Sequence, residues 1–176
     1  MSSDALKPTD NDIELGVRLL EATDEDALSF LGIQAEKLEI AKLRQEQGRA
    51  LPSWSNDDAV EKVLSAQRAS PQELVRYAEK GLEFARFVLD KTEQQLRGTL
   101  CNGRVVRPDI EALSANTKEI LKYVASAIIA VVLTSLPAAV ALAASGIATT
   151  LAVILIKRGL TGFCAAGAQT ITNPKP

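Results

Sequence analysis

Residues 123–156 read YVASAIIAVVLTSLPAAVALAASGIATTLAVILI, 34 residues without a charge. Lys122 bounds the stretch on one side, and Lys157 with Arg158 on the other. A charge-free run of 18 or more apolar residues is a transmembrane candidate. As one continuous helix this run would span roughly 51 Å, against a hydrocarbon core of about 30 Å, which is too long for a single crossing. Pro137 stands near its middle, preceded by Thr134 and Ser135. Proline breaks or kinks a helix. The pattern therefore predicts a hairpin of two apolar helices, over 120–136 and 138–156, turning at Pro137. Each arm would be about 25–29 Å long, just enough to cross a bilayer.

The remainder of the chain has another character. Every acidic residue lies at or before Glu119. Residues 1–122 carry a formal charge of −5, and residues 123–176 carry +3. Such asymmetry points to two environments: an acidic helical part in water, and an apolar part with positive ends. Basic residues at both ends of a hairpin suit a segment whose flanks both stay on the cytoplasmic side.

Several function classes drop out on composition. The net charge of −2 and the 4% aromatic content give no basic, aromatic-laced surface for nucleic acid. There is no histidine, so Ser-His-Asp and Cys-His catalysis in their usual forms are excluded and the commonest metal ligand is missing. No glycine-rich phosphate loop is present. The sequence thus predicts no enzyme, no cofactor and no metal site. Cys101 and Cys164 are 63 residues apart and form no CxxC pair; a disulfide is conceivable, but two free thiols in a reducing compartment are expected. Cys164 beside an apolar segment also suggests a lipidation site, with a buried thiol as the plainer reading. The polar start MSSDALKPTDND is not a signal peptide. A protein made in the cytosol and associated with the inner or plasma membrane is expected.

Outward from the apolar run, the chain reads as helices. Residues 1–9 are expected to be disordered. A first helix starts near Asp10 to Asp12, with Ile13, Val17 and Leu20 on one stripe and Leu19 beside them. Thr23 to Asp26 resembles a capping box with Asp in place of Glu. A helix over 24–47 follows, with Leu28, Leu31, Ala35 and Leu38 inward and Gly48 as its stop. Trp54 lies in a linker and reads as a core or interface anchor. Ser55 caps a short helix over 56–68. Ser70, Pro71 and Glu73 start a helix that runs to about Arg97 and stops at Gly98. Asn102-Gly103 reads as a hairpin turn or a plain loop. Pro108 opens a last helix that continues straight into the apolar run. Residues 159–176 form a loose tail.

The apolar run has three readings: inserted in a membrane, buried in a helical bundle, or stored in the bundle and released on a trigger. It is rich in alanine rather than leucine. Ala139 with Ala143, Ala141 with Ser145, and Ala144 with Ala148 are small residues four apart, the spacing that lets helices approach closely in lipid. Thr149 and Thr150 can bond back to their own helix. Intermediate hydrophobicity suits a segment that visits both water-soluble and inserted states. The layout, amphipathic helices ahead of a C-terminal apolar hairpin, resembles that of helical pore-forming toxins such as the channel domains of colicins. That likeness is architectural, covers about 35 residues, and supplies no functional residues.

The expectation is an all-α protein with four parts: a disordered start (1–9), an amphipathic helical region (10–119), an apolar membrane hairpin (120–158) and a tail (159–176). Its expected function is permeabilisation of a lipid bilayer as a homo-oligomer, in the manner of a small toxin or defence effector. Pro137 makes the turn, the small-residue faces pack, and Lys122, Lys157 and Arg158 sit at the membrane interface. The alternative is a membrane-anchored adaptor whose helices over 10–97 bind a protein partner.

Overall fold

In the computed structural model, which describes residues 7–48, 71–101, 113–135 and 144–166, the first two helices begin where the sequence supplies caps. Helix α1 (Asp10–Glu21) is capped by Thr9, whose hydroxyl accepts from the Asp12 N–H at 3.2 Å. Helix α2 (Asp24–Glu46) opens on the Thr23–Asp26 box. The Asp26 N–H donates to Thr23 Oγ1 at 3.2 Å, and the Thr23 N–H donates to Asp26 Oδ2 at 3.3 Å. Both orphan donors are thus satisfied with Asp in the role usually held by Glu. Gly48 ends the helix with a φ of 67°, the left-handed conformation that glycine adopts without strain.

Helix α3 (Pro71–Leu100) has proline at its first position. Helix α4 (Leu113–Ser135) crosses the start of the apolar run without a break, as the continuous stripe predicts. Helix α5 (Ala144–Arg158) and the short α6 (Leu160–Ala166) meet at Gly159, whose φ of 107° turns the chain. Among the described residues the protein is all-helical.

α5 lies at the centre, in contact with α1, α2, α4 and α6. α2 packs along α3, and α3 also touches α4 and α6. α2 and α3 run in the same direction: the Ser29 hydroxyl donates to the Leu74 carbonyl at 3.0 Å, and Lys80 pairs with Glu39 further along. The core runs from Ile13 through Leu31, Val88, Leu121 and Ile128 to Leu151 and Phe163, all fully enclosed.

Three expectations need correction. Gly98 does not stop α3, which continues to Leu100. Leu96 and Leu100 are buried, and burying each contributes about 1.5–3 kcal/mol, more than the roughly 1 kcal/mol that a glycine costs inside a helix. The inward stripe of α1 is Ile13, Gly16 and Leu19, with Val17 and Leu20 only partly buried, because the glycine turns the close-packing face inward. The tail is not loose over 160–166: it is α6, with Phe163 fully buried. The expected short helix over 56–68, Trp54, the Asn102-Gly103 turn and the Pro137 turn all lie outside the described residues.

Candidate functional site

α5 is buried on every side. Residues 146–155 are ten consecutive buried positions, and none is charged. Apolar residues all round are the pattern of a helix enclosed by protein or lipid, not of one that lies half in water. Thr149 and Thr150 are also buried, and each donates to the carbonyl four residues back, Ser145 and Gly146, at 2.8 Å. Their hydroxyls are therefore satisfied inside α5 itself and ask nothing of the surroundings.

Polar clamps hold α5 at both ends, and both belong to α1 and its flanks. At the start, Ser145 Oγ donates to Asp12 Oδ2 at 2.5 Å and accepts from the Thr9 N–H at 3.0 Å. Thr9 Oγ1 also donates to Asp12 Oδ2, at 2.7 Å. At the far end, Lys157 Nζ donates to the Leu20 carbonyl at 3.0 Å and, by a short bond, to the Ala22 carbonyl. These carbonyls lie at the C-terminus of α1, where the last acceptors of a helix have no partner in the helix itself. The ammonium also complements the negative end of the α1 dipole. Asp24 completes the cluster: its carboxylate pairs with Lys157 Nζ and Arg158 Nε, both at 3.8 Å. Because start meets start and end meets end, α1 lies parallel to α5.

Between the clamps α1 approaches closely through Gly16. A methyl group at that position would stand 2.6 Å from Leu121 Cδ2 and 2.8 Å from Thr149 Cγ2. The glycine thus seats α1 in the groove between α4 and α5.

A covalent bond closes the other side. Cys101, just past α3, and Cys164 of α6 form a disulfide with Cα atoms 5.5 Å apart. This overturns the expectation of two free thiols and of Cys164 as a lipidation site. The fold brings together two residues that the sequence separates by 63 positions. Arg97 supports the same junction, donating to the Cys164 carbonyl at 3.0 Å and pairing with Glu93 at 3.7 Å.

The residues singled out from sequence fall as follows. Ala144 and Ala148 are buried in α5, and Ser145 is the N-terminal clamp. Lys122 is half-buried on α4. Lys157 and Arg158 face the α1–α2 corner, each with its side chain 14% exposed. Pro137, Ala139, Ala141 and Ala143 lie outside the described residues. Among the described residues no helix is long and apolar enough to cross a membrane. α4 has the length but carries Lys118, Glu119 and Lys122, and α5 is about 22 Å long. Also among the described residues, no cluster of acidic and sulfur ligands could hold a metal ion.

A second feature lies across the molecule. The C-terminal half of α2 and the middle of α3 enclose a groove of about 290 Å³, floored by Ala35, Leu38 and Phe84 and edged by Glu39, Lys42 and Lys80. Phe87 stands exposed at its rim with the Lys91 ammonium 4.5 Å from its ring centre. Ile40 and Leu43 are exposed nearby on α2. Deeper along the pair, burial raises the Tyr77 pKa, and the neighbouring Glu36 carboxylate, which accepts its hydroxyl, raises it further.

Sequence reasoning missed Thr9, Asp12, Gly16 and Asp24 as partners of α5. Thr-x-x-Asp at 9–12 is the same box pattern as at 23–26 and could have marked the helix start. Nothing local marks its bond to a serine 133 positions away. No known family, no curated protein and no solved structure matches the chain.

Proposed function

We propose that this protein permeabilises lipid bilayers: a non-enzymatic helical effector that stores its apolar segment inside amphipathic helices and delivers it to a membrane as an oligomer. The observation that carries this reading is the ten-residue uncharged interior of α5, buried on all sides yet continuous in sequence with the rest of the charge-free run. A surface helix keeps one polar face toward water, and residues 146–155 of α5 keep none, as in a bundle core or a membrane span. The small helices and clamps around it supply a stored state that can open. Lipid offers the exposed segment the same apolar surroundings that α1, α2 and α4 offer it in the bundle.

One hairpin gives two crossings and encloses no water, so several copies are required. Ala144 and Ala148, with Ala139, Ala141, Ala143 and Ser145, give the run small-residue faces through which inserted copies can pack. In the inserted state Lys122, Lys157 and Arg158 would lie at the headgroups, where each basic residue near an anionic surface contributes about 1 kcal/mol. Pro137 would form the turn between the crossings.

The test is dye release from anionic liposomes, with flotation on the same sample. Release with flotation supports the proposal, and Ala139→Leu or Ala143→Leu should then reduce release by spoiling close packing. Protein that stays in the aqueous fraction with dye retained, across acidic and neutral pH, ends it.

A second reading rests on the α2–α3 groove. Exposed Phe87, Ile40 and Leu43 around an apolar floor are what an adaptor would offer a protein partner. Flotation without release, insensitive to Ala143→Leu, would favour that reading.

A further inference from the structure

The Cys101–Cys164 bridge brackets the apolar run. Every residue of the run lies inside the loop that the bridge closes, and the two Cα atoms at its base are 5.5 Å apart. A closed loop whose base is that narrow cannot place its two ends on opposite faces of a hydrocarbon core about 30 Å thick. We propose that this disulfide is a topological lock. It admits the apolar run to a bilayer only as a hairpin, with the α3 end and the α6 end both left on the face of entry; a dithiol reductant that cleaves the S–S bond to two thiols, itself becoming a disulfide, is what lets the C-terminal flank cross. The inference rests on the membrane reading above and says which topology that reading takes.

Three further observations agree. Arg97 bonds to the Cys164 carbonyl, so the base of the loop is held by a charged group as well as by the covalent link. Lys118 and Lys122 stand on one flank of the run and Lys157, Arg158 and Lys175 on the other, so both flanks carry charges that resist transfer through hydrocarbon. Neither cysteine is fully enclosed, so a reductant can reach the bridge.

The experiment uses full-length protein bound to anionic liposomes and an amine-reactive reagent that cannot pass the bilayer. Mass spectrometry then reads which lysines react. With the bridge intact, Lys157 and Lys175 should react from outside alongside Lys118 and Lys122. In C101S/C164S, Lys157 and Lys175 should become protected in part of the bound protein until detergent is added. Wild-type protein reduced with dithiothreitol and capped with iodoacetamide gives the same comparison without a substitution, and covers the case of a variant that does not fold. Bound, bridged protein whose two flanks differ in accessibility would overturn the lock, as would identical labelling with the bridge open and closed. Protein that does not bind liposomes at all removes the membrane reading, and this inference with it; the two failures are therefore distinct.

Discussion

Gly32 of α2 and Gly81 of α3 meet backbone to backbone. A methyl group on Gly32 would lie 1.9 Å from the Tyr77 carbonyl oxygen, and one on Gly81 would lie 1.8 Å from the Leu28 carbonyl oxygen. Each glycine thus gives a carbonyl of the opposite helix the space that a side chain would fill. Backbone atoms cannot rotate aside as a side chain would. Either glycine replaced by alanine forces the helices apart, at about 1–3 kcal/mol for the overpacking and more if the pair separates along its length. Urea denaturation of Gly32→Ala and Gly81→Ala measures this. Gly98→Ala is the control: nothing lies within 4 Å of its added methyl, and it stands inside α3, so alanine there should stabilise by about 0.5–1 kcal/mol.

Tyr77 makes stability depend on alkaline pH. Burial, with the Glu36 carboxylate beside it, raises its pKa above the ordinary value of 10.0. The folded state therefore holds the phenol proton more tightly than the unfolded chain does. That contribution is complete below the unfolded pKa and is lost as pH rises through the folded one. Absorbance titration should show a late tyrosine phase, above the ordinary phenol range, that comes from Tyr77. In Tyr77→Phe that late phase is gone.

The disulfide contributes to stability as well as to topology. Closing a loop of 63 residues should be worth about 4 kcal/mol in the chain-entropy account, within a usual span of roughly 2–5 kcal/mol. C101S/C164S and the reduced, alkylated wild type should both unfold at lower urea, by similar amounts. A loss confined to the reduced protein would mean that the alkyl groups, not the missing bridge, disturb α6.

Lys157 and Asp24 share one cluster but should not share one cost. The Lys157 ammonium, 14% exposed, satisfies two carbonyls at the end of α1, and Lys157→Met would leave them unpaired at about 1–3 kcal/mol. Asp24 is 51% exposed and pairs at 3.8 Å, so Asp24→Asn should cost under about 1 kcal/mol, less in high salt. Equal costs for the two would show that the ion pairs, not the carbonyl contacts, hold the corner.

Local signals were legible in the chain and remote ones were not. The Thr23–Asp26 box, proline at the start of α3, the positive-φ Gly48 and the unbroken α4 all follow from interactions within four residues or from a single periodic stripe. The back-bonded hydroxyls of Thr149 and Thr150 follow from the same local rule. The clamp at Ser145, the bridge at Cys164 and the crossing at Gly32 join residues 45 or more positions apart, and composition does not encode such meetings. Gly98 and Gly32 look alike in sequence; only packing separates a tolerated glycine from a required one. Lys157 and Arg158 read as interface charges beside an apolar run, and nothing local in the sequence marks their place at the α1–α2 corner of the bundle.

The Asp12–Ser145 bond gives the storage proposal its sharpest test. Asp12 Oδ2 accepts from both the Thr9 cap hydroxyl and Ser145 Oγ, so Asp12→Ala removes the clamp together with the carboxylate that holds the Thr9 hydroxyl. Ser145→Ala removes the clamp and leaves the α1 cap in place. If storage and release are one equilibrium, each loss of stability in the bundle shifts population toward the open form by about tenfold per 1.4 kcal/mol. Dye release should therefore quicken in Ser145→Ala and further in Asp12→Ala, in the order of their urea midpoints. Gly98→Ala, which stabilises α3 away from both clamps, should slow release if α3 also opens and leave it unchanged if only α1 lifts from α5. Faster release in variants that are no less stable would separate the two processes and end the account of α5 as a stored segment.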